Sequence, residues 1–287
     1  MRRLVVVSNR LPVPPPGGGP LEAAAGGLAT AVLAALRQVP ESLWVGWNGR
    51  ILPARRARRM TRTRAGNVTL AGLALTPREH ADYYLGYCNT TLWPLLHCFQ
   101  GRVQVDRRQE AAYRSVQTRF AEAWRPQLRQ GDQVWVHDYH LMPLGRELRR
   151  LGWTGRIGFF LHVPFPPYEL WQLLPDPADL LSALLDYDLV GFQTEVGLDN
   201  YRHCARRLLG AEVTGARLRA GERLQRTGVY PVGIDPDEFL VADDARARPA
   251  RGDLTRVVRG RRLILGVDRL DFTKGIPERI LAYEDFL

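Results

Sequence analysis

The chain has 287 residues, 45% hydrophobic and 24% charged, the make-up of an ordinary globular protein with room for one domain and part of another. Its apolar runs fall short of the roughly 18 residues that cross a membrane, and its three cysteines, Cys88, Cys98 and Cys204, lack the paired spacing of a disulfide framework or a zinc site. A net charge of +10 favours anionic partners, but the arginine clusters at 55–64 and 256–262 have no interleaved aromatics, which argues against nucleic acid.

In chain order, Met1-Arg2-Arg3 is followed by only four apolar residues, Leu4–Val7, whereas a secretory signal needs about 7–15. The run reads as a buried first β-strand, and the protein as cytoplasmic. Pro14–Pro20 is a short Pro/Gly loop, and Gly26–Gln38, rich in Ala and Leu, reads as a helix. Leu43–Trp47 and Val68–Leu75 follow as strands. Gln109–Arg129 has helical spacing, with Ala112, Val116, Phe120 and Trp124 four apart. Gln133–Val136 reads as a strand, about Leu141–Leu151 as a helix, and Ile157–Val163 and Leu189–Gln193 as strands. Glu195–Leu209 is a helix and Val229–Val232 a strand. Short apolar runs alternating with helical stretches predict an α/β fold with a mainly parallel sheet. Ala242–Arg251 has little to bury and reads as a linker, after which Arg262–Val267 begins a new strand and Ile276–Leu287 its helix.

In open α/β sheets ligands bind beyond the carboxyl ends of strands, so the residues there are the candidates. Arg10, after the first strand, is placed to fork onto a phosphate. Gly26 and Gly27 open a helix, whose free N–H groups and positive dipole end suit a phosphate. Tyr83-Tyr84 and Leu92-Trp93-Pro94 offer aromatic faces with polar edges, which suit sugars, although composition alone favours an aromatic core. Val136 leads into His137-Asp138-Tyr139-His140, polar groups that are costly to bury without purpose. His137 and His140, three apart with no third ligand nearby, do not make a convincing metal site; Asp138 reads as an acceptor of hydroxyl hydrogen bonds or as a charge stabiliser. Three prolines after His162 stiffen its loop and would hold that ring in place. Arg269 and Lys274 lie five apart before the last helix, able to place two cations on one diphosphate, or to be ordinary surface charges. Of 40 basic residues, 39 are Arg, which makes the single lysine, Lys274, conspicuous.

Taken together, VSNRLP, AGGLA, LWP, VHDYH, FFLHVPFP, DLVGFQTE, YPVGIDP and DRLDFTKGIPER resemble, in this order, the trehalose-phosphate synthase family, over nearly all of 4–287. The resemblance implies a GT-B fold of two Rossmann-like domains: residues 1–241 as the acceptor-side domain, and 242–287 as a linker and the first strand-helix unit of a nucleotide-sugar domain. It implies glucose transfer with retention from UDP-glucose to glucose 6-phosphate, without a metal or other cofactor. By position, Arg10, Tyr84, Trp93 and Asp138 resemble acceptor-binding residues. Gly26, Gly27, His162, Arg269 and Lys274 resemble donor-binding ones, with Asp138 and His162 nearest the reacting atoms. Family members continue beyond the position of Leu287 with much of the nucleotide site, so weak donor binding and little turnover are expected of this chain. Another acceptor such as glycerol 3-phosphate, an ADP- or GDP-glucose donor, and a non-catalytic binding homologue stand as alternatives. A homo-oligomer is compatible with the sequence.

Overall fold

The computed structural model describes residues 3–12, 29, 32–33, 35–36, 38–233, 256, 258 and 261–287. The chain divides into two compact units, Met1–Val232 and Gly233–Leu287.

The first unit is built on a sheet of ten strands in the order β3-β4-β2-β1-β5-β6-β7-β10-β9-β8. These are β1 Leu4–Arg10, β2 Ser42–Ile51, β3 Thr61–Ala65, β4 Val68–Leu75, β5 Gln133–His137, β6 Ile157–Phe160, β7 Leu189–Phe192, β8 Glu212–Thr214, β9 Arg217–Ala220 and β10 Arg223–Val229. The run from β4 to β10 is parallel throughout, and the edges turn antiparallel at β3 and at the β8-β9-β10 meander. β1 lies at the centre. Because side chains alternate across a strand, Val5 and Val7 join one hydrophobic cluster and Val6 the other.

Helices cover both faces. On one, Ala29, Val32, Leu33, Ala35 and Leu36 are helical, within the predicted Gly26–Gln38. On the other, α1 (Arg107–Trp124) buries Tyr113, Val116, Phe120 and Trp124, and the side chain of Asp106 caps it by accepting from Arg108 N at 2.7 Å. The predicted helix extended to Arg129. It stops at Trp124 because Pro126 cannot donate the next hydrogen bond, and Arg125–Gln127 tighten into a narrower turn. α2 (Leu144–Arg150) and α3 (Pro177–Leu184) follow, then α4 (Glu195–Leu209), whose bounds match the prediction.

A further departure has a physical reason. The strand expected at Val229–Val232 ends at Val229, since Pro231 has no N–H for a ladder. Its true extent starts at Arg223, inside a charged stretch. Residues 80–92 form a wide helical segment with a break at Gly86 (φ −75°, ψ −105°), opened by a capping box between Thr76 and Glu79.

In the second unit, the predicted strand Arg262–Val267 has no ladder partner among the described residues, and Leu263, Ile264, Leu265 and Val267 are all exposed. A strand without a neighbour has no hydrogen bonds to define it. The helix after it, α5 (Ile276–Phe286), is present. The predicted linker at 242–251 lies outside the described residues.

Candidate active site

The site begins at the tip of β1, where two side chains turn in and one turns out. Ser8 Oγ accepts from Trp44 Nε1 at 2.8 Å and donates to Arg10 O at 2.9 Å. Asn9 Oδ1 accepts from Tyr83 Oη at 2.8 Å. With both neighbours bolted inward, Arg10 is the exposed end of the strand, and its guanidinium carbon lies 5.2 Å from the Trp47 ring centroid. Gly49 leaves the room: its φ is +79°, and a Cβ there would stand 3.0 Å from Arg10 Nη2. Among the described residues no carboxylate pairs with Arg10, so its charge stays open to an anion.

A strip of rings runs on from Arg10. Trp47 lies 5.4 Å from Tyr84 and 5.6 Å from His80. Tyr84 stacks on His140 at 6.0 Å, His140 on Tyr139 at 3.9 Å, and Tyr139 lies 5.7 Å from Trp93. Tyr84 and Trp93 are half-buried, as rings that offer a face to a ligand must be.

The tip of β5 lies beside this strip. Asp138 has φ +74° and ψ 164°, a region that is nearly glycine's alone and costs about 1–3 kcal/mol for other residues. The surroundings impose it. Asp138 N donates to Phe160 O at 2.8 Å. The next three carbonyls each receive a buried side chain: Tyr139 O from Tyr113 Oη at 2.8 Å, His140 O from Gln117 Nε2 at 2.8 Å, and Leu141 O from Tyr187 Oη at 2.9 Å. From β6 comes His162. Its N–H donates to Asp138 Oδ1 at 3.3 Å, and its Nε2 lies 2.9 Å from His137 Nδ1.

Burial sets the protonation of this group. It pushes the Asp138 carboxyl up to about 6, against the pull of the Tyr139 and His162 N–H groups. It lowers His162 to about 4 and His140 to about 3, and His137 falls well below the usual range through burial and the neighbouring His162. At neutral pH the cluster therefore holds one strained carboxylate and neutral imidazoles, while Arg10 carries the positive charge.

Of the residues singled out in the sequence, Arg10, Tyr84, Trp93, Asp138 and His162 converge at the carboxyl ends of β1, β5 and β6. Gly26 and Gly27 lie outside the described residues. Arg269 and Lys274 belong to the second unit, exposed on either side of a turn in which Asp271 Oδ1 accepts from Thr273 N at 3.0 Å. Trp47 and His80 were not anticipated; a single Trp at a strand's end gives no sign that it underlies an arginine. His137 was weighed only as a metal ligand, and its partner is instead another histidine. No cluster of three or more His, Cys, Asp or Glu that could hold a metal occurs among the described residues. Among those residues, too, no helix is long and apolar enough to cross a membrane. A separate cavity of about 660 Å³ between Arg58, Glu79, Arg119 and Glu122 includes none of these groups.

The family model of glycosyltransferase family 20 matches residues 2–287. A trehalose-6-phosphate synthase of Sinorhizobium fredii is 39% identical over 293 residues, covering 100% of this chain and 62% of that protein. A solved alpha,alpha-trehalose-phosphate synthase (UDP-forming) from Burkholderia xenovorans, in complex with glucose-6-phosphate, superposes with a TM-score of 0.89 at 37% identity, covering 99% of this chain and 61% of that one. An E. coli structure described as trehalose-6-phosphate bound with UDP-2-fluoro glucose gives 0.88 at 38% identity, covering 98% and 60%. The chain thus spans about 60% of the length of these relatives.

Proposed function

The chain belongs to glycosyltransferase family 20, and on that premise we propose that it carries the acceptor side of a retaining glucosyltransferase. In this reading glucose passes from UDP-glucose to glucose 6-phosphate, giving trehalose 6-phosphate and UDP in the cytoplasm. The observation that carries the proposal is Arg10, without a carboxylate partner among the described residues, at the head of a ring strip that ends beside Asp138 and His162.

Each group then has one task. Arg10 holds the 6-phosphate of the acceptor. Trp47, Tyr84 and Trp93 lie along its sugar ring, and Asp138 accepts a hydrogen bond from one of its hydroxyls. His162 hydrogen-bonds the donor glucose near its anomeric carbon, and donor binding is the role given to Gly26 and Gly27. Arg269 and Lys274, from the second unit, neutralise the departing diphosphate. The bond from the anomeric carbon to the diphosphate oxygen breaks, and a bond forms to the acceptor's anomeric hydroxyl oxygen. That hydroxyl's proton passes to the departing phosphate on the same face of the sugar, which preserves configuration. Side-chain cations meet the leaving charge, so the scheme calls on no metal.

Calorimetric titration tests the acceptor half. Saturable binding of glucose 6-phosphate, tighter than glycerol 3-phosphate and weakened in Arg10→Ala, is expected. Preference for glycerol 3-phosphate would change the acceptor, and binding of neither would sink the reading. The transfer half is tested by release of UDP from UDP-glucose that depends on added glucose 6-phosphate.

A further inference from the structure

The contact between His137 and His162 does more than tie β5 to β6. A neutral imidazole carries one proton, so of the two facing nitrogens one donates and the other accepts. The second nitrogen of His137, Nε2, is buried with no hydrogen-bond partner among the described residues. Were His137 to accept through Nδ1, its proton would sit on Nε2 as a buried N–H with nothing to receive it. Orphaned buried donors of that kind are rare and cost about 1–3 kcal/mol. With the proton on Nδ1, His137 donates across the 2.9 Å contact and leaves only a lone pair on Nε2.

We propose that His137 is a positioning residue: its Nδ1–H donates to His162 Nε2 and locks His162 as the Nδ1–H tautomer, which presents a hydrogen-bond donor to the transferred sugar. Among the described residues no protein group bonds His162 Nδ1, so that N–H is available to a ligand oxygen. The backbone fixes the ring from the other end, through His162 N to Asp138 Oδ1 and Asp138 N to Phe160 O. The use made of the N–H rests on the sugar-contacting role given to His162 above; the tautomer itself does not.

Long-range proton–nitrogen NMR of the histidine-labelled chain at pH 7 reads the tautomer directly. The expected pattern is a protonated Nδ1 and a bare Nε2 on His162. In His137→Phe the lock is lost and the His162 pattern shifts toward Nε2–H. In His137→Asn, whose amide nitrogen stands as far from Cβ as the imidazole Nδ1, it is retained. A His162 Nε2–H in the unaltered chain overturns the proposal, as does an unchanged pattern in His137→Phe. Should His137→Phe fail to fold, the unaltered chain and His137→Asn still decide. Titration with UDP-glucose then tests the use: affinity about fivefold weaker in His137→Phe, the loss of one hydrogen bond's net worth, and recovered in His137→Asn. An unchanged UDP-glucose affinity in His137→Phe, with the tautomer as expected, would remove the sugar role of His162 and leave the lock standing.

Discussion

Two polar clusters in the first unit use charge in opposite ways. Between α1, α2, α3 and β10, arginines and carboxylates are matched. Arg114 pairs with Glu110 at 2.9 Å and with Asp179, Arg146 with Asp179 at 2.7 Å and Asp186 at 3.3 Å, and Arg223 with Asp186 at 3.3 Å. Burial alone would raise Asp179, but its hydrogen bonds from Arg146 and Arg114 outweigh it and hold the carboxyl low. At the tips of β1, β5 and β6 nothing is matched. Among the described residues Arg10 has no carboxylate, Asp138 has no cation, and His137 Nε2 and His140 Nδ1 are buried without partners. A cluster kept for stability neutralises itself. One kept for a ligand leaves its charges and donors unspent and is held in place by its neighbours.

Acid should separate the two clusters most sharply. His137, His140 and His162 all have folded values below their unfolded 6.5, so the unfolded chain takes up their protons first as pH falls. Their stability contribution is full above pH 6.5 and is lost toward pH 4. Asp138 works the other way: with a folded value of about 6 against 3.8, the folded state binds that proton first and gains stability over much of the same range. His140 and His162 against one carboxyl leave unfolding to take up about one proton, a slope of ~1.4 kcal/mol per pH unit between about pH 6 and 4, and His137 adds to it in the same direction. In the matched cluster Asp179 stays charged until the pH falls below the ordinary carboxylate range. Urea midpoints at pH 7, 6, 5 and 4.5 check this, and a midpoint that stays level to pH 5 would contradict the buried-imidazole account.

The next effect belongs to Arg10. An exposed arginine that pairs with no acid can be removed with little harm to the fold, so Arg10→Ala should leave the melting temperature within about a degree or two. If the charge is kept for a phosphate, glucose 6-phosphate affinity falls about 10- to 100-fold, the worth of hydrogen bonds to a charged group. A lower melting temperature with unchanged affinity would move Arg10 into the structural class.

The sequence made these clusters legible to different degrees. Periodicity located the central strands and the α4 helix, because Leu4–Val7, Val68–Leu75 and Glu195–Leu209 bury apolar residues at regular spacing. It missed β8, β9 and most of β10, where the buried positions include Gln225 and Thr227. Gln225 accepts from Tyr201 Oη at 2.7 Å and donates to Tyr187 O at 3.1 Å, so a polar residue does a core residue's task. It also placed a strand at Arg262–Val267, where apolar residues lack a neighbour among the described ones. Arg10, Asp138 and His162 were readable because strand ends are where ligands bind. Trp47 and the bond between His137 and His162 were not, since both depend on which strands lie side by side.

The matched cluster should respond to single changes through the fold alone. Arg146→Met keeps the side chain's length but strands Asp179 and Asp186 short of one partner each. Arg114 and Arg223 remain, and the groups are partly solvated, so a loss of about 1–2 kcal/mol is expected, well below that of a fully buried pair. Sugar-phosphate binding should not change. Chemical denaturation and the same calorimetric titration read the two quantities separately.

Asp138 should give the smallest change and the one with the opposite sign. Replacing it by glycine frees a backbone held at φ +74° and removes a carboxylate that burial holds at about 6. Against this stand the wider unfolded ensemble of glycine, about 0.5–1 kcal/mol, and the long hydrogen bond from His162 N. The strain is worth about 1–3 kcal/mol, so the balance favours the variant by about 1 kcal/mol. Asp138→Gly should therefore unfold at higher urea than the unaltered chain at pH 7 and bind glucose 6-phosphate more weakly. Removing a carboxylate from the matched cluster, as in Asp179→Asn, should do the reverse on both counts, with stability down and affinity untouched. If Asp138→Gly is instead the less stable protein, Asp138 is a structural carboxylate like Asp179, and the contrast between the clusters dissolves at its most exposed point.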